Sequence, residues 1–209
     1  SNGILIPPKG YLKGVRALCD KYDILMICDE VMAGWYRMGP CFAYQQFDAT
    51  PDLVTFAKGS TCGYVPLGGV IVSKKIAEFF EDKVMLCGLT YSAHPMGCAA
   101  LIATLGEYKR LNIQQNVETL GNLLGELLED LYKKHECIGQ VRYIGLFSAV
   151  ELVKSKTTRE AIVPFGRDPE GVMGKIIGML KKEGFATYSH ENMIMVAPPL
   201  IITEEELRK

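Results

Sequence analysis

The sequence predicts an α/β fold: a sheet of parallel type in a larger domain, followed by a small α+β domain. Three observations carry this. The runs ILMICDEV (residues 24–31) and DLVTFAKG (residues 52–59) are short, apolar and strand-like, and they end on Asp29 and Lys58. A helical pattern precedes the first run, and helix, strand, loop and strand in that order is the doubly wound arrangement. From Val141 onward the pattern changes to short strands around one helix. In an open parallel sheet ligands bind at the carboxyl ends of the strands. A carboxylate and an amine on neighbouring strands, about 4.8 Å apart, can hold opposite ends of one flat cofactor.

Taken in order, Gly3 to Pro8 is a connector whose prolines can open the next helix. From Lys9 to Tyr22, Leu12, Val15, Arg16, Leu18 and Cys19 recur at helical spacing. The first strand is expected over Ile24 to Cys28, buried in the sheet. The loop from Glu30 to Thr50 is long for a compact domain, and long ordered loops are often functional. It carries Trp35, Tyr36, Phe42, Tyr44 and Phe47, which read either as a cluster covering the sheet or a subunit interface, or, for Trp35 and Tyr36, as neighbours of a substrate pocket. Gly59 to Gly69 holds four glycines and a proline, suited to tight turns and close backbone approach to a ligand. A third strand is expected over Gly69 to Ser73 and a short helix over Lys74 to Asp82.

Two longer helices are predicted at Pro95 to Lys109 and Val117 to His135, the second with Leu120, Leu123, Leu124, Leu127, Leu128 and Leu131 along one face. The segment Arg110 to Gln115 between them divides the chain into residues 1–110 and 111–209. Beyond it, Leu146 to Val153 reads as a strand, Pro169 to Glu183 as a helix, and Phe185 to Ser189 and Met193 to Ala197 as short strands. The closing TEEELRK has a threonine cap and an acidic first turn.

Composition is that of a soluble globular protein, with 48% apolar and 22% charged residues. A net charge of −1 argues against nucleic-acid or membrane-surface binding through bulk electrostatics. Seven scattered cysteines without a C-x-x-C pair suggest reduced thiols in the cytoplasm, and three histidines without ligand spacing give no metal site. Neither a membrane-length apolar run nor a charged-then-apolar leader is present in the sequence.

Separately, Asp29 and Lys58 are ordinary residues at strand ends. Jointly, Asp29-Glu30-Val31, Gly34, Arg37, Gly39, Pro51-Asp52, Ala57-Lys58-Gly59, Gly63 and Pro66-Leu67-Gly68-Gly69 resemble the signature of the class III pyridoxal-phosphate aminotransferases. DEVMAGWYRMG with GYVPLGGVIVS looks most like the branch that uses ω-amino acids with pyruvate, such as taurine and β-alanine transaminases.

The resemblance implies the fold of pyridoxal-phosphate transferases of fold type I and a reaction moving an amino group from an ω-amino acid or amine to pyruvate or another 2-oxo acid. It makes Lys58 the Schiff-base lysine and Asp29 the partner of the cofactor's ring nitrogen. Lysine suits that role because an amine can give up its proton when desolvated, whereas a guanidinium stays charged. Val31 would pack on one face of the ring, and Thr90, in LTYSAHPMGCAA, would reach the cofactor phosphate across a homodimer interface, the alternative being a helix cap. Met32 stands where many members carry a glutamine, His94 where many carry an asparagine, and Met195 where members acting on α-carboxylates carry an arginine. Relatives run to roughly twice this length, and a glycine-serine phosphate turn and a stacking aromatic belong to their earlier half. The chain therefore reads as their second half, cut at both ends. Two other readings stay open: a non-catalytic or partner-dependent fragment, and another pyridoxal-phosphate enzyme such as a decarboxylase, racemase or aminomutase.

Overall fold

The computed structural model describes residues 3–209, which fall into two compact units: Pro7–Gln114, and Gln115–Lys209 together with residues 3–6. The sequence divides the chain after residue 110; the compact units part after Gln114, inside the first turn of a helix. Residues 3–6 join the later unit, where the Gly3 carbonyl accepts a hydrogen bond from Arg142 Nε at 2.8 Å.

In the unit Pro7–Gln114, helix α1 (Tyr11–Lys21) precedes a three-stranded sheet of β1 (Ile27–Asp29), β2 (Leu53–Phe56) and β3 (Gly69–Val72), in the order β1-β2-β3. Strands β1 and β2 are parallel, with Ile27 opposite Leu53, Cys28 opposite Val54 and Asp29 opposite Thr55. Strand β3 runs antiparallel to β2, so the sheet is mixed. Strand β1 starts three residues later than the apolar run suggests. Its partner's ladder begins only at Leu53, and the residue before, Asp52, uses its carboxylate to accept the Met26 N–H at 2.8 Å. The same Asp52 oxygen accepts from Arg16 NH1 of α1 at 2.7 Å, which ties the helix to the strand entrance. These two donors, Met26 N–H first and Arg16 second, hold the Asp52 carboxyl below its ordinary range. Strand β1 is also less buried than its composition suggests, with Ile27 60% exposed, because it is the edge of this sheet and pairs on one side only.

The long loop after β1 is fastened by Glu30. Its side chain is buried, and its two carboxylate oxygens accept the N–H groups of Ala43 (2.9 Å) and Tyr44 (2.8 Å) at the start of a 3-10 turn, Ala43–Gln46. A carboxylate suits a helical N-terminus, where N–H groups lack acceptors. Above this point Trp35 packs edge-on against Phe56 of β2 (5.3 Å between centroids) and tilted against Phe42 (5.3 Å). Trp35 thereby covers the sheet. Helices α2 (Lys74–Phe79) and α3 (Pro95–Arg110) follow.

The later unit is built on α4 (Ile113–Lys134), whose residues from Gln115 onward lie in it, and on a four-stranded antiparallel sheet in the order β4-β5-β7-β6. Its strands are β4 (Ile138–Ile144), β5 (Phe147–Leu152), β6 (Ser189–His190) and β7 (Met193–Val196); helix α5 (Val172–Lys182) precedes β6, and α6 (Glu204–Arg208) closes the chain. Along the leucine stripe, Leu120, Leu124 and Leu128 are buried, whereas Leu131 lies at its exposed end. Gly121 lets α4 sit directly on the β4–β5 turn: a Cβ there would lie 2.7 Å from Gly145 Cα. Strand β4 is not among the strands the sequence suggests, because Gly139, Gln140 and Arg142 dilute its apolar alternation. Strand β6 is only two residues, shorter than the predicted Phe185 to Ser189. Thr203 caps α6 as expected, accepting from Glu206 N at 3.3 Å while the Glu206 carboxylate accepts from Thr203 N at 2.9 Å.

Burial raises the Glu30 carboxyl, and the two backbone N–H groups offset that only in part. Because the folded value lies above the unfolded one, this group's contribution to stability is full below the ordinary carboxylate range and falls as pH rises through the raised value. Glu30→Ala, which strands two N–H groups, is expected to lower unfolding free energy by about 1–3 kcal/mol. Glu30→Gln should flatten the pH slope. Urea unfolding across the acid range checks both; an unchanged midpoint in Glu30→Ala would show that the carboxylate is dispensable to the loop.

Candidate active site

The parallel pairing of β1 and β2 puts both C-terminal ends on one edge of the sheet. Asp29 is the last residue of β1, opposite Thr55, and Lys58 follows the end of β2 by two residues. Both side chains are exposed there. Asp29 Oδ1 accepts the Val31 N–H at 3.0 Å, which turns the chain out of the strand; Oδ2 has no hydrogen bond from the described residues. Lys58 Nζ likewise has neither an ion pair nor a hydrogen-bond partner among them. An open cleft of about 450 Å³ is lined by Ala57, Lys58, Thr61, Gly63 and the stretch Val65 to Gly68. Neither Asp29 nor Val31 lines it.

Lys58 itself is held in a turn with left-handed backbone, φ 47°, at the start of the 3-10 segment Lys58–Ser60. That conformation costs a non-glycine residue about 1–3 kcal/mol and persists only where its surroundings hold it. Several contacts do so. Gly59 lies so close to Trp35 that a Cβ would sit 2.6 Å from the Trp35 Cβ, so only glycine fits. Ser60 and Thr61, both fully buried, donate their hydroxyls to the carbonyls of Leu67 (3.1 Å) and Val65 (2.5 Å) and fold the glycine-rich stretch back on itself. Tyr108 of α3 donates its phenol to the Gly59 carbonyl at 2.7 Å. The Cys62 thiol lies 3.3 Å from the same phenol oxygen.

The structure brings Asp29, Val31 and Lys58 to neighbouring strand ends. Thr90 stands apart: it is exposed in the stretch between α2 and α3 and hydrogen-bonds to none of the other three. Nor is it a helix cap, since His94 fills that role for α3, its Nδ1 accepting from Met96 N at 3.3 Å. Met195, on β7 between β5 and β6 in the sheet, is 1% exposed.

In the sequence Glu30 stands out only as part of a motif, and Tyr108, Ser60 and Thr61 do not stand out at all. The pairing of Asp29 with Glu30 held a signal: successive strand residues point to opposite faces, so one faces inward if the other faces out. Tyr108 sits in EYKR near the end of a helix, and nothing in its sequence neighbourhood marks the distant turn it binds.

Unpaired anionic and cationic groups at adjacent strand ends suit a flat ligand with a basic ring atom at one end and an electrophilic carbon at the other. Pyridoxal phosphate has both. The comparisons with known proteins agree. The family model described as "Aminotransferase class-III" matches residues 1–209. Taurine–pyruvate aminotransferase of Bilophila wadsworthia is 35% identical over 98% of this chain and 46% of its own length. Adenosylmethionine-8-amino-7-oxononanoate aminotransferase of Geobacter sulfurreducens is 36% identical over 99% of this chain and 46% of its own length. The crystal structure of taurine:2-oxoglutarate aminotransferase from Bifidobacterium kashiwanohense, in complex with pyridoxal phosphate and glutamate, superposes with a TM-score of 0.95 at 53% identity. It covers 99% of this chain and 46% of that one, so the chain spans about half the length of the proteins it matches. With a family match running the whole chain and a lysine and aspartate signature resting on two adjacent strand ends, the chain belongs to the class III aminotransferases.

Proposed function

We propose that this chain supplies the covalent lysine and the ring-nitrogen carboxylate of a pyridoxal-phosphate-dependent aminotransferase that moves an amino group from an ω-amino acid or amine to pyruvate or another 2-oxo acid. The observation that carries the reading is the parallel register: Asp29 ends β1 opposite Thr55, and Lys58 follows β2 on the same edge, each with an uncommitted polar group. When bound, the cofactor supplies an electron sink for the bond cleavage at the donor carbon. Lys58 would hold the cofactor through Nζ and, as a free amine, would move a proton at the reacting carbon. Asp29 would keep the ring nitrogen protonated through a charge-assisted hydrogen bond, using the oxygen that does not accept the Val31 N–H. Val31, half-buried immediately after that turn, packs on the ring face.

Substrate choice rests on resemblance. The taurine–pyruvate and taurine:2-oxoglutarate aminotransferases among the similar proteins support a 2-oxo acid acceptor, whereas the adenosylmethionine-8-amino-7-oxononanoate aminotransferase is named for a different pair. The buried Met195 supports a donor without an α-carboxylate contact at that position. The division into a cofactor-binding part up to residue 110 and a small domain beyond it fits this reading, with the compact units parting a few residues later. No helix among the described residues is long and apolar enough to cross a membrane. The seven free cysteines suit a reducing compartment such as the cytoplasm.

A homodimer belongs to the same proposal, with Thr90 donating its hydroxyl to the neighbouring subunit's cofactor phosphate. Val84, Leu86, Leu89 and Tyr91 around it are all more than three-quarters exposed, an apolar stretch suited to a protein partner. Light scattering on the full-length protein should give the mass of a dimer, and a clean monomer would contradict the shared site.

In the full-length protein, borohydride reduction after loading with pyridoxal phosphate is expected to fix the cofactor on Lys58, read by peptide mass spectrometry. Lys58→Ala should abolish turnover. Asp29→Asn should keep the cofactor bound but lower kcat by about 10²–10⁴-fold, the range set by loss of one proton-managing group. Label on another lysine together with full activity in Lys58→Ala would remove the assignment.

A further inference from the structure

The turn that carries Lys58 is braced by two kinds of contact. The hydroxyls of Ser60 and Thr61 bind carbonyls only a few residues ahead, so they shape the loop without fixing it to anything rigid. Tyr108 is different. It lies 49 residues away on the sixteen-residue helix α3, is buried, and donates to the carbonyl of the residue directly after Lys58. We propose that Tyr108 is a positioning residue for Lys58, fixing the left-handed turn to helix α3 so that the amine is presented to the cleft in one orientation.

The surroundings of the phenol and of the turn favour this. The phenol's ring is itself immobilised, stacked 6.5 Å from Trp35 and edge-on to Tyr36 at 5.2 Å, so the hydroxyl has a fixed origin. Its hydroxyl donates to the Gly59 carbonyl at 2.7 Å, and the Cys62 sulfur lies 3.3 Å from the phenol oxygen and 3.9 Å from the same carbonyl. Burial first, and Cys62 second, push the Tyr108 phenol up, which favours its protonated, donating form. Trp35 also packs against Gly59, its Cβ standing where a side chain on that residue would lie. A strained backbone held between a tryptophan and a helix-borne hydrogen bond has little freedom to rotate, and misplacing a reacting group by about 1 Å costs on the order of a hundredfold in rate.

The inference rests on the assignment of Lys58 above, and its test separates the two. Tyr108→Phe keeps the ring contacts and removes one hydroxyl; Tyr44→Phe removes a hydroxyl from the same aromatic cluster without touching the turn. In the full-length protein, amide hydrogen exchange at Ser60 and Thr61 should rise about three- to tenfold in Tyr108→Phe, the effect of losing one hydrogen bond. Exchange in β1 and β2 should not change. In the loaded enzyme kcat should fall at least tenfold with the donor KM within twofold, and Tyr44→Phe should change neither quantity. Unchanged exchange at Ser60 and Thr61, or raised exchange with kcat intact, overturns the positioning role. Failure of the Lys58 assignment would show instead as activity in Lys58→Ala, whatever the exchange data give.

Discussion

Parallel pairing of two short strands is the constraint on which the site depends. If β1 and β2 ran antiparallel, Asp29 and Lys58 would emerge at opposite ends of the sheet, and no single small ligand could meet both. The pairing is only three residues long, Ile27 to Asp29 against Leu53 to Thr55, so its direction must be secured from outside. Arg16 and Asp52 do this at the strand entrance, where one carboxylate oxygen accepts both a helix side chain and the Met26 amide. Antiparallel β3 then returns along β2 and brings the glycine-rich stretch back beside Lys58, which forms the wall of the cleft.

Charge is handled in two ways in the same unit. Asp52 and Glu30 are tied into the fold: one oxygen of the first accepts from Arg16 and Met26 N–H, and both oxygens of the second accept amides at a 3-10 turn. Asp29 and Lys58, a few residues away, are exposed, with one carboxylate oxygen and the amine left without partners among the described residues. The groups that bridge distant segments hold the scaffold still, and the exposed ones at the strand ends are available to a ligand. The same division explains the glycines. Gly59 is required because Trp35 occupies the space of its side chain, whereas Gly63, with φ 81° and nothing within 4 Å, serves the turn itself.

Much of this was legible in the sequence because it is local. The strand ends at Asp29 and Lys58, helices α1, α3, α4 and α5, and the Thr203 cap all follow from periodicity and from residues a few positions apart. Contacts across distance were not legible. Strand β4 hides its alternation behind Gly139 and Arg142 because its pairing to β5, not its own composition, stabilises it. The exposure of Ile27 depends on β1 being an edge in a sheet of three strands, which no run of apolar residues announces. Tyr108 and Glu30 act through backbone atoms 49 and 13 or 14 residues away, and backbone atoms leave no trace in residue type.

The most direct test of the account is a crystal structure of the full-length protein with pyridoxal phosphate. The account predicts continuous density from Lys58 Nζ to the cofactor and an Asp29 carboxylate oxygen about 2.7–2.9 Å from the ring nitrogen, with Val31 against the ring face. A cofactor joined to a different lysine, or a ring nitrogen facing a group other than Asp29, would contradict it.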